Sequence, residues 1–266
     1  MTETEQLLWL ITYLLEERGE AADAGSLPRD GESRWRLYRS LVNVRPPAPV
    51  SPAYRAIEDG LLRGRVRARG TASPADAVLT GGELLWQGDI TTLAADAIVN
   101  AANAQMLGCF VPCHRCIDNA IHTAAGTELR LTCEKLIAAQ EHEEPTGGAA
   151  ITPGFNLPAR HVIHTVGPIV TGAAPTAANR EALARCYRSC LGLAIERDLA
   201  SIAFCCISTG EFRFPHRDAA AIAIETVREE RRQARAASRD FPTIIFNVFT
   251  DEDREIYEEL LARSLT

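Results

Sequence analysis

This 266-residue sequence lacks a long apolar run and a basic leader. Its apolar stretch at residues 7–15 is well short of the ~20 residues that a membrane-spanning helix needs. The residues ahead of it, Glu3 and Glu5, are acidic, whereas a secretory signal begins with basic residues. We therefore predict that the stretch is the buried face of a helix, and we expect no secretory leader and no membrane contact.

The sequence also lacks an excess of positive charge. Lysine and arginine together number 28 against 35 aspartates and glutamates, which gives a formal net charge of −7. Because broad nucleic-acid binding needs a basic surface that neutralises phosphates, this charge argues against nucleic acid as a partner. Binding of a small anionic ligand is compatible with this charge, since oriented backbone N–H groups hold phosphates without net positive charge.

The cysteine pattern does not suggest a disulfide framework. The eight cysteines are unevenly spaced, and a chain of this length with 46% hydrophobic residues buries enough core to fold without covalent links. We therefore expect the cysteines to be reduced and the protein to be cytoplasmic.

Residues 1–82 are predicted to form a helical extension followed by a linker. Apolar residues at three- and four-residue spacing predict helices over 4–18 and 31–42, and a shorter helix is predicted over 53–62. The proline-rich segment 45–52 ends the second helix. Residues 63–80 contain few core-forming residues and are interpreted as the linker. Four arginines between 63 and 69 form a solvated loop there, or else a basic contact for a partner protein.

Residues 83–266 are predicted to form an α/β domain, because short apolar runs alternate there with helical segments. The predicted strands cover 84–87, 97–101, 149–152, 161–166, 201–207 and 243–249. The predicted helices cover 117–140, 179–197, 216–236 and 252–263. Continuous apolar runs such as 202–207 indicate strands covered on both faces, so we predict a helix–sheet–helix sandwich. Ligands of such sheets bind beyond the carboxyl ends of the central strands, which are followed here by Asn103, Gly167 and residues 208–210.

A cluster of cysteines and histidines lies between residues 107 and 122. Thiolate and imidazole are the ligands that zinc prefers, and Cys109, His114 and Cys116 leave one position of a tetrahedral ion open, as in a catalytic site. Cys113 would close the site and make the zinc structural, but adjacent Cys113 and His114 would have difficulty reaching one ion together. Asp118 follows at the start of a helix, close enough in sequence to serve a substrate held at the metal.

Five short motifs follow one another between residues 87 and 215. They are Gln-Gly-Asp-Ile-Thr at 87–91, Asp-Ala-Ile-Val-Asn-Ala-Ala-Asn at 96–103, Ile-Asp-Asn-Ala-Ile-His-Thr-Ala-Ala-Gly at 117–126, His-Thr-Val-Gly-Pro at 164–168 and Ser-Thr-Gly-Glu-Phe-Arg-Phe-Pro at 208–215. In this order they resemble the macrodomain family, whose α/β fold binds ADP-ribose. The resemblance covers residues 83–266.

Two further features are similar to the zinc-containing branch of that family. The cysteine-rich segment 108–116 replaces a glycine-rich loop, and the N-terminal extension contains Asn-Val-Arg-Pro-Pro at 43–47. The zinc pattern of this branch uses the positions of Cys109, His114 and Cys116 and leaves Cys113 outside.

The resemblance implies a three-layer α/β/α macrodomain with a mixed central sheet. It implies one zinc ion per chain and a protein-ADP-ribose hydrolase, which removes mono-ADP-ribose from ADP-ribosylated protein side chains and releases ADP-ribose. Two alternatives stay open. One is a non-catalytic reader that binds ADP-ribose and uses zinc only to hold the loop, and the other is a hydrolase of a free ADP-ribose derivative.

The resemblance assigns adenine to Asp89 and to the backbone N–H of Ile90. A carboxylate that accepts from the adenine amino group distinguishes adenine from guanine. The alternative for Asp89 is a purely structural cap of a turn or helix.

The segment after the predicted strand 201–207 is assigned to the diphosphate. Its amides precede a helix that opens near Pro215, where the positive end of the helix dipole favours an anion. Phe212 offers a flat apolar face to a ribose, or else is an ordinary anchor into the core. The predicted diphosphate residues are Ser208, Thr209, Gly210 and Glu211.

Asn103 and Asp118 are predicted to be catalytic residues at the distal ribose. Asn103 can donate to and accept from ribose hydroxyls, while its neighbour Asn100 is equally consistent with a structural role. Asp118 would orient or deprotonate the attacking water, or cap the helix beside it. His122 lies on the same helix face and either supports Asp118 or is a core histidine. The remaining ligand contacts that the resemblance implies are Cys116, Ile117 and Asn119.

Overall fold

The computed structural model describes residues 1–20 and 27–263. Residues 21–26 of the predicted extension and 264–266 of the predicted domain lie outside the described residues. Three helices come first in the chain: α1 (Glu3–Glu17), α2 (Gly31–Val44) and α3 (Pro52–Arg69). A polar side chain caps each N-terminus, Thr2, Asp30 and Ser51 in turn. The predicted helical extension is confirmed.

The three helices share a small apolar core. Its buried residues are Leu7, Leu10, Ile11, Leu14, Tyr38, Leu41, Val42, Tyr54, Leu61 and Leu62. The four from α1 lie on one face at helical spacing, so the apolar stretch near the start of the sequence is a buried helix face, as predicted. Within residues 1–20 and 27–263 no helix is long and apolar enough to cross a membrane.

Helix α3 extends further than the sequence predicts. It continues to Arg69, so the interpretation of residues 63–69 as a solvated loop is wrong. Arginine is a good helix former, and Leu61, Leu62 and Val66 give this segment a buried face. Because the arginines alternate with small residues, that face is easily missed when core-forming residues are counted.

The rest of the chain forms one seven-stranded mixed sheet flanked by helices. The strands are β1 (Val78–Thr80), β2 (Glu83–Gln87), β3 (Ala97–Ala102), β4 (Ala149–Pro153), β5 (His161–Val166), β6 (Ser201–Phe204) and β7 (Thr243–Val248). Their order is β1-β2-β7-β6-β3-β5-β4. The five central strands run parallel, and β1 and β4 pair antiparallel at the two edges.

Five helices accompany this sheet and complete the predicted sandwich, which is confirmed. They are α4 (Ile117–Ala125), α5 (Thr127–Gln140), α6 (Ala177–Glu196), α7 (His216–Ala236) and α8 (Asp251–Arg263). Their apolar residues pack with those of the strands into one large core. The central strands are buried along most of their length, which agrees with their continuous apolar sequences.

Three details of the sheet domain differ from the sequence prediction. Strand β1 lies in the predicted linker and joins the sheet edge. The predicted helix over 117–140 is two helices, because Gly126 between them has a φ of +96°, a backbone conformation that favours glycine. The predicted strand over 201–207 ends at Phe204, and the chain then turns through Ser208, whose φ is +67°.

A buried carboxylate joins the extension to the sheet domain. Glu58 of α3 accepts hydrogen bonds from the backbone N–H (3.0 Å) and the hydroxyl (2.8 Å) of Thr127, where α5 begins. Its other oxygen accepts from the hydroxyls of Tyr38 (2.7 Å) and Tyr54 (3.2 Å). Burial raises the pKa of Glu58, while these four bonds favour the ionised form. The carboxylate therefore depends on partners from both units.

Replacing Glu58 with glutamine is expected to lower the free energy of unfolding by about 1–3 kcal/mol, because an amide nitrogen cannot accept from these buried donors. Glu16→Gln on the exposed face of α1 is the matched control, with an expected change within about 0.5 kcal/mol. Urea unfolding measures both. A Glu58→Gln variant as stable as the control would contradict the importance of this junction.

Candidate active site and metal centre

The predicted site residues gather at the carboxyl edge of the parallel strands. Asp89 follows β2, Asn103 follows β3, and the segment 205–215 connects β6 to α7. The segment between β3 and α4 contains the cysteine and histidine cluster. The fold therefore brings together side chains that are far apart in the sequence, at the edge where α/β sheets bind ligands.

Three residues of the β3–α4 segment form a group that can hold a metal ion. The ligand atoms of Cys109, His114 and Cys116 all lie within 4.8 Å of one another, and the three residues are half-buried. Cys109 Sγ is 3.6 Å from Nδ1 of His114, while Nε2 of the same ring is 3.4 Å from a carboxylate oxygen of Glu211. Two thiols and one imidazole are a donor set that fits zinc.

Cys113 lies outside this group. Its Sγ donates to the carbonyl oxygen of Arg36 in α2 at 3.3 Å, and its φ is +53°. The neighbouring cysteine and histidine side chains therefore have different surroundings, as expected if both cannot reach one ion.

Cys116 has a second role as the N-cap of α4. Its Sγ accepts a hydrogen bond from the backbone N–H of Asn119 at 3.4 Å. The helix is thus capped by Cys116 and not by Asp118. Burial raises the pKa of the Cys116 thiol to about 12, and the nearby Cys109 and Asp118 add to the rise. A bound cation reverses that preference, because metal coordination favours the thiolate.

Close packing determines the path of the segment ahead of Cys109. Gly108 has a φ of +79°, and a Cβ there would lie 2.8 Å from the ring of His122. The carbonyl oxygen of Gly108 accepts from Nδ2 of Asn103 at 3.0 Å. A larger residue at position 108 would displace either the segment that contains Cys109, His114 and Cys116 or the helix that contains Asp118.

Asp118 lies in the first turn of α4 and is 5% exposed. Its Oδ1 accepts from Nδ2 of Asn100 at 2.8 Å and is 3.5 Å from Nε2 of His122. Burial raises the pKa of Asp118 to about 6, against the opposing effects of the Asn100 hydrogen bond and the charge of Arg130. The group is a carboxyl whose proton affinity suits acid–base chemistry near neutral pH.

A second cluster lies in the core behind Asp118. The ligand atoms of His122, Cys133 and His164 are also within 4.8 Å of one another, and all three residues are buried. However, Nδ1 of His164 is 3.1 Å from Nδ2 of Asn100, and its Nε2 is 3.0 Å from the hydroxyl of Thr152. Since both nitrogens of His164 have partners, we interpret this cluster as buried polar packing that surrounds Asp118.

Asn103, the other residue predicted to be catalytic, has one amide atom with a partner and one without. Its Nδ2 is bound to Gly108, whereas its Oδ1 is buried and has no hydrogen-bond partner among the described residues. Buried polar atoms are rarely left unpaired, so this oxygen is a natural acceptor for a ligand hydroxyl.

Asp89 is both a cap and a partly open carboxylate. Its Oδ1 accepts from the backbone N–H (3.0 Å) and hydroxyl (2.7 Å) of Thr91, which caps the short 3-10 helix Ile90–Thr92. Its Oδ2 forms an ion pair with Arg69 of α3 at 3.0 Å, and 42% of its side chain is exposed. The structural role considered for Asp89 is therefore present, and the exposed part of its side chain leaves the carboxylate open to a further donor. The side chain of Ile90 is buried.

The predicted diphosphate segment forms a tight turn ahead of α7. Ser208 is buried and its hydroxyl has no partner among the described residues, while the hydroxyl of Thr209 donates to the carbonyl oxygen of Cys206 at 3.0 Å. Gly210 and Glu211 are exposed, and Phe212 is half-buried. Helix α7 begins at His216 with no side-chain cap. An uncapped helix start beside a polar turn is a suitable place for an anion.

Ile117 and Asn119 differ in how open they are. Ile117 is half-buried at the start of α4, whereas Asn119 is fully buried. The Asn119 side chain donates to the carbonyl oxygens of Val111 (3.1 Å) and Cys109 (3.4 Å). These two bonds hold the segment that contains the three candidate metal ligands. A ligand contact from Asn119 stays a prediction.

Sequence reasoning missed three residues near the site. Arg69 contacts Asp89, and Arg39 of α2 contacts Asn119 at 2.8 Å, but both contacts join residues far apart in the sequence. Phe249 directly follows β7, beside the end of β2 that leads to Asp89, and is 74% exposed. An aromatic residue at the carboxyl end of a predicted strand, directly ahead of a polar segment, is the sequence signal that would have identified it.

Comparison with known proteins agrees with this arrangement. The family model described as Macro domain matches residues 99–223. A Treponema medium protein named protein-ADP-ribose hydrolase is 46% identical over 267 residues, which cover 98% of this chain and 100% of the relative. A Staphylococcus aureus (strain MRSA252) protein of the same name is 45% identical over 259 residues, covering 97% of this chain and 96% of its own.

Solved structures extend the likeness to the fold. The Oceanobacillus iheyensis macrodomain with ADP superposes with a TM-score of 0.61 at 38% identity, covering 69% of this chain and 92% of that one. The Trypanosoma brucei macrodomain in complex with ADP-ribose gives a TM-score of 0.62 at 30% identity, covering 83% and 94% respectively. Along nearly its whole length the chain is similar to proteins named protein-ADP-ribose hydrolase, and it belongs to the macrodomain family.

Proposed function

We propose that this protein is a zinc-dependent hydrolase that removes mono-ADP-ribose from modified protein side chains. One observation carries the proposal: a group of two thiols and one imidazole lies at the start of the helix that contains the buried carboxyl of Asp118. The names of its full-length relatives support hydrolysis of protein-linked ADP-ribose, and solved relatives with ADP and ADP-ribose support the ligand.

The pocket offers a separate partner for each part of ADP-ribose. The Oδ2 of Asp89, which Arg69 also contacts, accepts from the adenine amino group, and the exposed ring of Phe249 stacks on the base. The turn 208–212 and the uncapped start of α7 hold the diphosphate. The unpaired Oδ1 of Asn103 accepts from a hydroxyl of the distal ribose.

Cys109, His114 and Cys116 would hold the zinc ion. When bound, zinc supplies a Lewis acid that stabilises negative charge developing on an oxygen of the substrate. Glu211 is 3.4 Å from the Nε2 of His114 and orients that ring toward the two thiols.

Asp118 orients the attacking water and takes its proton. Within the described residues, Asn100 and His122 contact the carboxyl of Asp118 through Oδ1, which leaves Oδ2 for the water. The bond from Asn100 fixes the carboxyl plane, so the water is held in one direction. A protein that only binds ADP-ribose would not need a buried, oriented carboxyl beside a group of three metal ligands.

The eight cysteines form no disulfide among the described residues, which supports a reducing compartment such as the cytoplasm.

The metal assignment predicts about one equivalent of zinc in the purified protein. Cys116→Ala should lose most of it, since a ligand is removed, while Cys113→Ala should retain it, since Sγ of Cys113 faces Arg36. Elemental analysis of the three proteins measures this. Zinc loss from the Cys113 variant together with retention in the Cys116 variant would reverse the assignment.

The adenine assignment predicts tighter binding of ADP-ribose than of GDP-ribose, with Asp89 responsible for most of the difference. The Asp89→Asn variant should lose most of this preference. Asparagine still caps the helix at residues 90–92, but it lacks the negative charge that repels the guanine carbonyl. Calorimetry with both nucleotides measures the preference. Equal affinities of the unaltered protein for ADP-ribose and GDP-ribose would contradict the assignment of Asp89 to adenine recognition.

The catalytic assignment predicts that Asp118→Asn keeps zinc and ADP-ribose binding yet slows release from ADP-ribosylated protein by ~10²-fold or more. The exposed Asp240→Asn is the matched control and should react at the normal rate. Single-turnover assays with modified protein and with a free ADP-ribose ester also separate the protein hydrolase from a hydrolase of free derivatives. A drop under tenfold would mean that Asp118 is not the base.

A further inference from the structure

We propose that helix α2 of the N-terminal extension positions the metal-binding segment, with Arg39 and Asn43 as its positioning residues. The inference rests on the proposed zinc site and concerns residues that are not ligands themselves. Arg39 and Asn43 are four residues apart, so both side chains project from the same face of α2. That face lies against α4 and the segment that precedes it.

Arg39 acts through Asn119. Its Nη2 donates to Oδ1 of Asn119 at 2.8 Å and is 3.5 Å from the carbonyl oxygen of His114. Asn119 in turn donates through its side chain to the carbonyl oxygen of Cys109, and through its backbone N–H to Sγ of Cys116. One guanidinium therefore connects, directly or through Asn119, to all three metal-binding residues.

Asn43 acts on the residue next to the histidine. Its Oδ1 accepts from the backbone N–H of Cys113 at 2.9 Å, and its Nδ2 donates to the hydroxyl of Thr123 in α4 at 3.0 Å. Cys113 has a φ of +53°, a left-handed conformation that is costly for a residue with a side chain. Asn43 is 1% exposed, so this bond is shielded from water and helps to hold the strained residue in place.

Together these contacts preorganise a segment that has no regular structure of its own. Between β3 and α4 the chain forms neither helix nor strand, and its ligands must nevertheless converge on one ion. Polar partners that orient metal ligands are worth 10–100-fold in metal affinity or activity in other proteins. The extension supplies such partners from a separate part of the chain.

The test measures zinc affinity of the full-length protein, independently of turnover. Metal-free protein is titrated with zinc in competition with a chromophoric chelator, and the cobalt-substituted protein is compared by its visible spectrum. Arg39→Met is expected to weaken zinc binding by about 10–100-fold and to change the cobalt bands. Arg39→Lys should show a smaller loss, because an ammonium keeps a charged donor but stands on a shorter side chain.

Two matched controls lie on the same helix. Arg36→Met removes an exposed side chain, since Arg36 contacts Cys113 through its backbone carbonyl. Ser40→Ala removes a hydroxyl that, among residues 1–20 and 27–263, donates to Leu37 within α2. Both should bind zinc as the unaltered protein does. Asn43→Ala is a second, independent variant, so the inference stays testable if Arg39→Met does not fold.

Melting temperatures of the metal-free proteins separate positioning from simple stability. If Arg39→Met and Asn43→Ala melt earlier but bind zinc with unaltered affinity and an unaltered cobalt spectrum, the residues are structural only and the inference is overturned. If the unaltered protein itself binds no zinc, the metal part of the proposed function fails and takes this inference with it. Weakened zinc binding in both variants, with both controls unaffected, supports it.

Discussion

The start of helix α4 is the constraint on which the site depends. Within its first turn, Cys116 caps the helix with a sulfur that also belongs to the metal group, Asp118 presents the buried carboxyl, and Asn119 holds the preceding segment. Because these residues share one turn, backbone geometry fixes their relative positions more tightly than side-chain packing alone would. A shift of the helix start by one residue would turn each side chain by about 100° and separate the carboxyl from the thiols.

The pocket edge contains polar groups that the fold leaves unpaired. The Oδ1 of Asn103 and the hydroxyl of Ser208 are both buried, and neither has a partner in residues 1–20 or 27–263. They lie on separate segments, after β3 and after β6, that meet at the same edge of the sheet. Since buried polar atoms normally have partners, both groups suit a ligand with hydroxyls and phosphates.

Sequence patterns predicted the sheet, most helices and the metal group because the signals are local. The buried strands are continuous apolar runs, and the two cysteines and the histidine lie within eight residues of one another. The missed features depend on tertiary contacts. Helix α3 continues to Arg69 with Leu61 and Leu62 in the three-helix core and Val66 also buried, and strand β1 forms because β2 offers it an edge. Arg39 meets Asn119 across 80 residues of sequence, a pairing that no local pattern encodes.

The bond between Arg39 and Asn119 also has a thermodynamic consequence for the extension. Binding free energies are reciprocal: whatever factor α2 contributes to the affinity of the segment for its ion, the ion contributes equally to the docking of α2. The extension and the sheet domain would then dock more firmly when metal is present than through the Glu58 junction and the other direct contacts alone. Metal supply in the cell would in this way govern how firmly the two parts of the chain hold together.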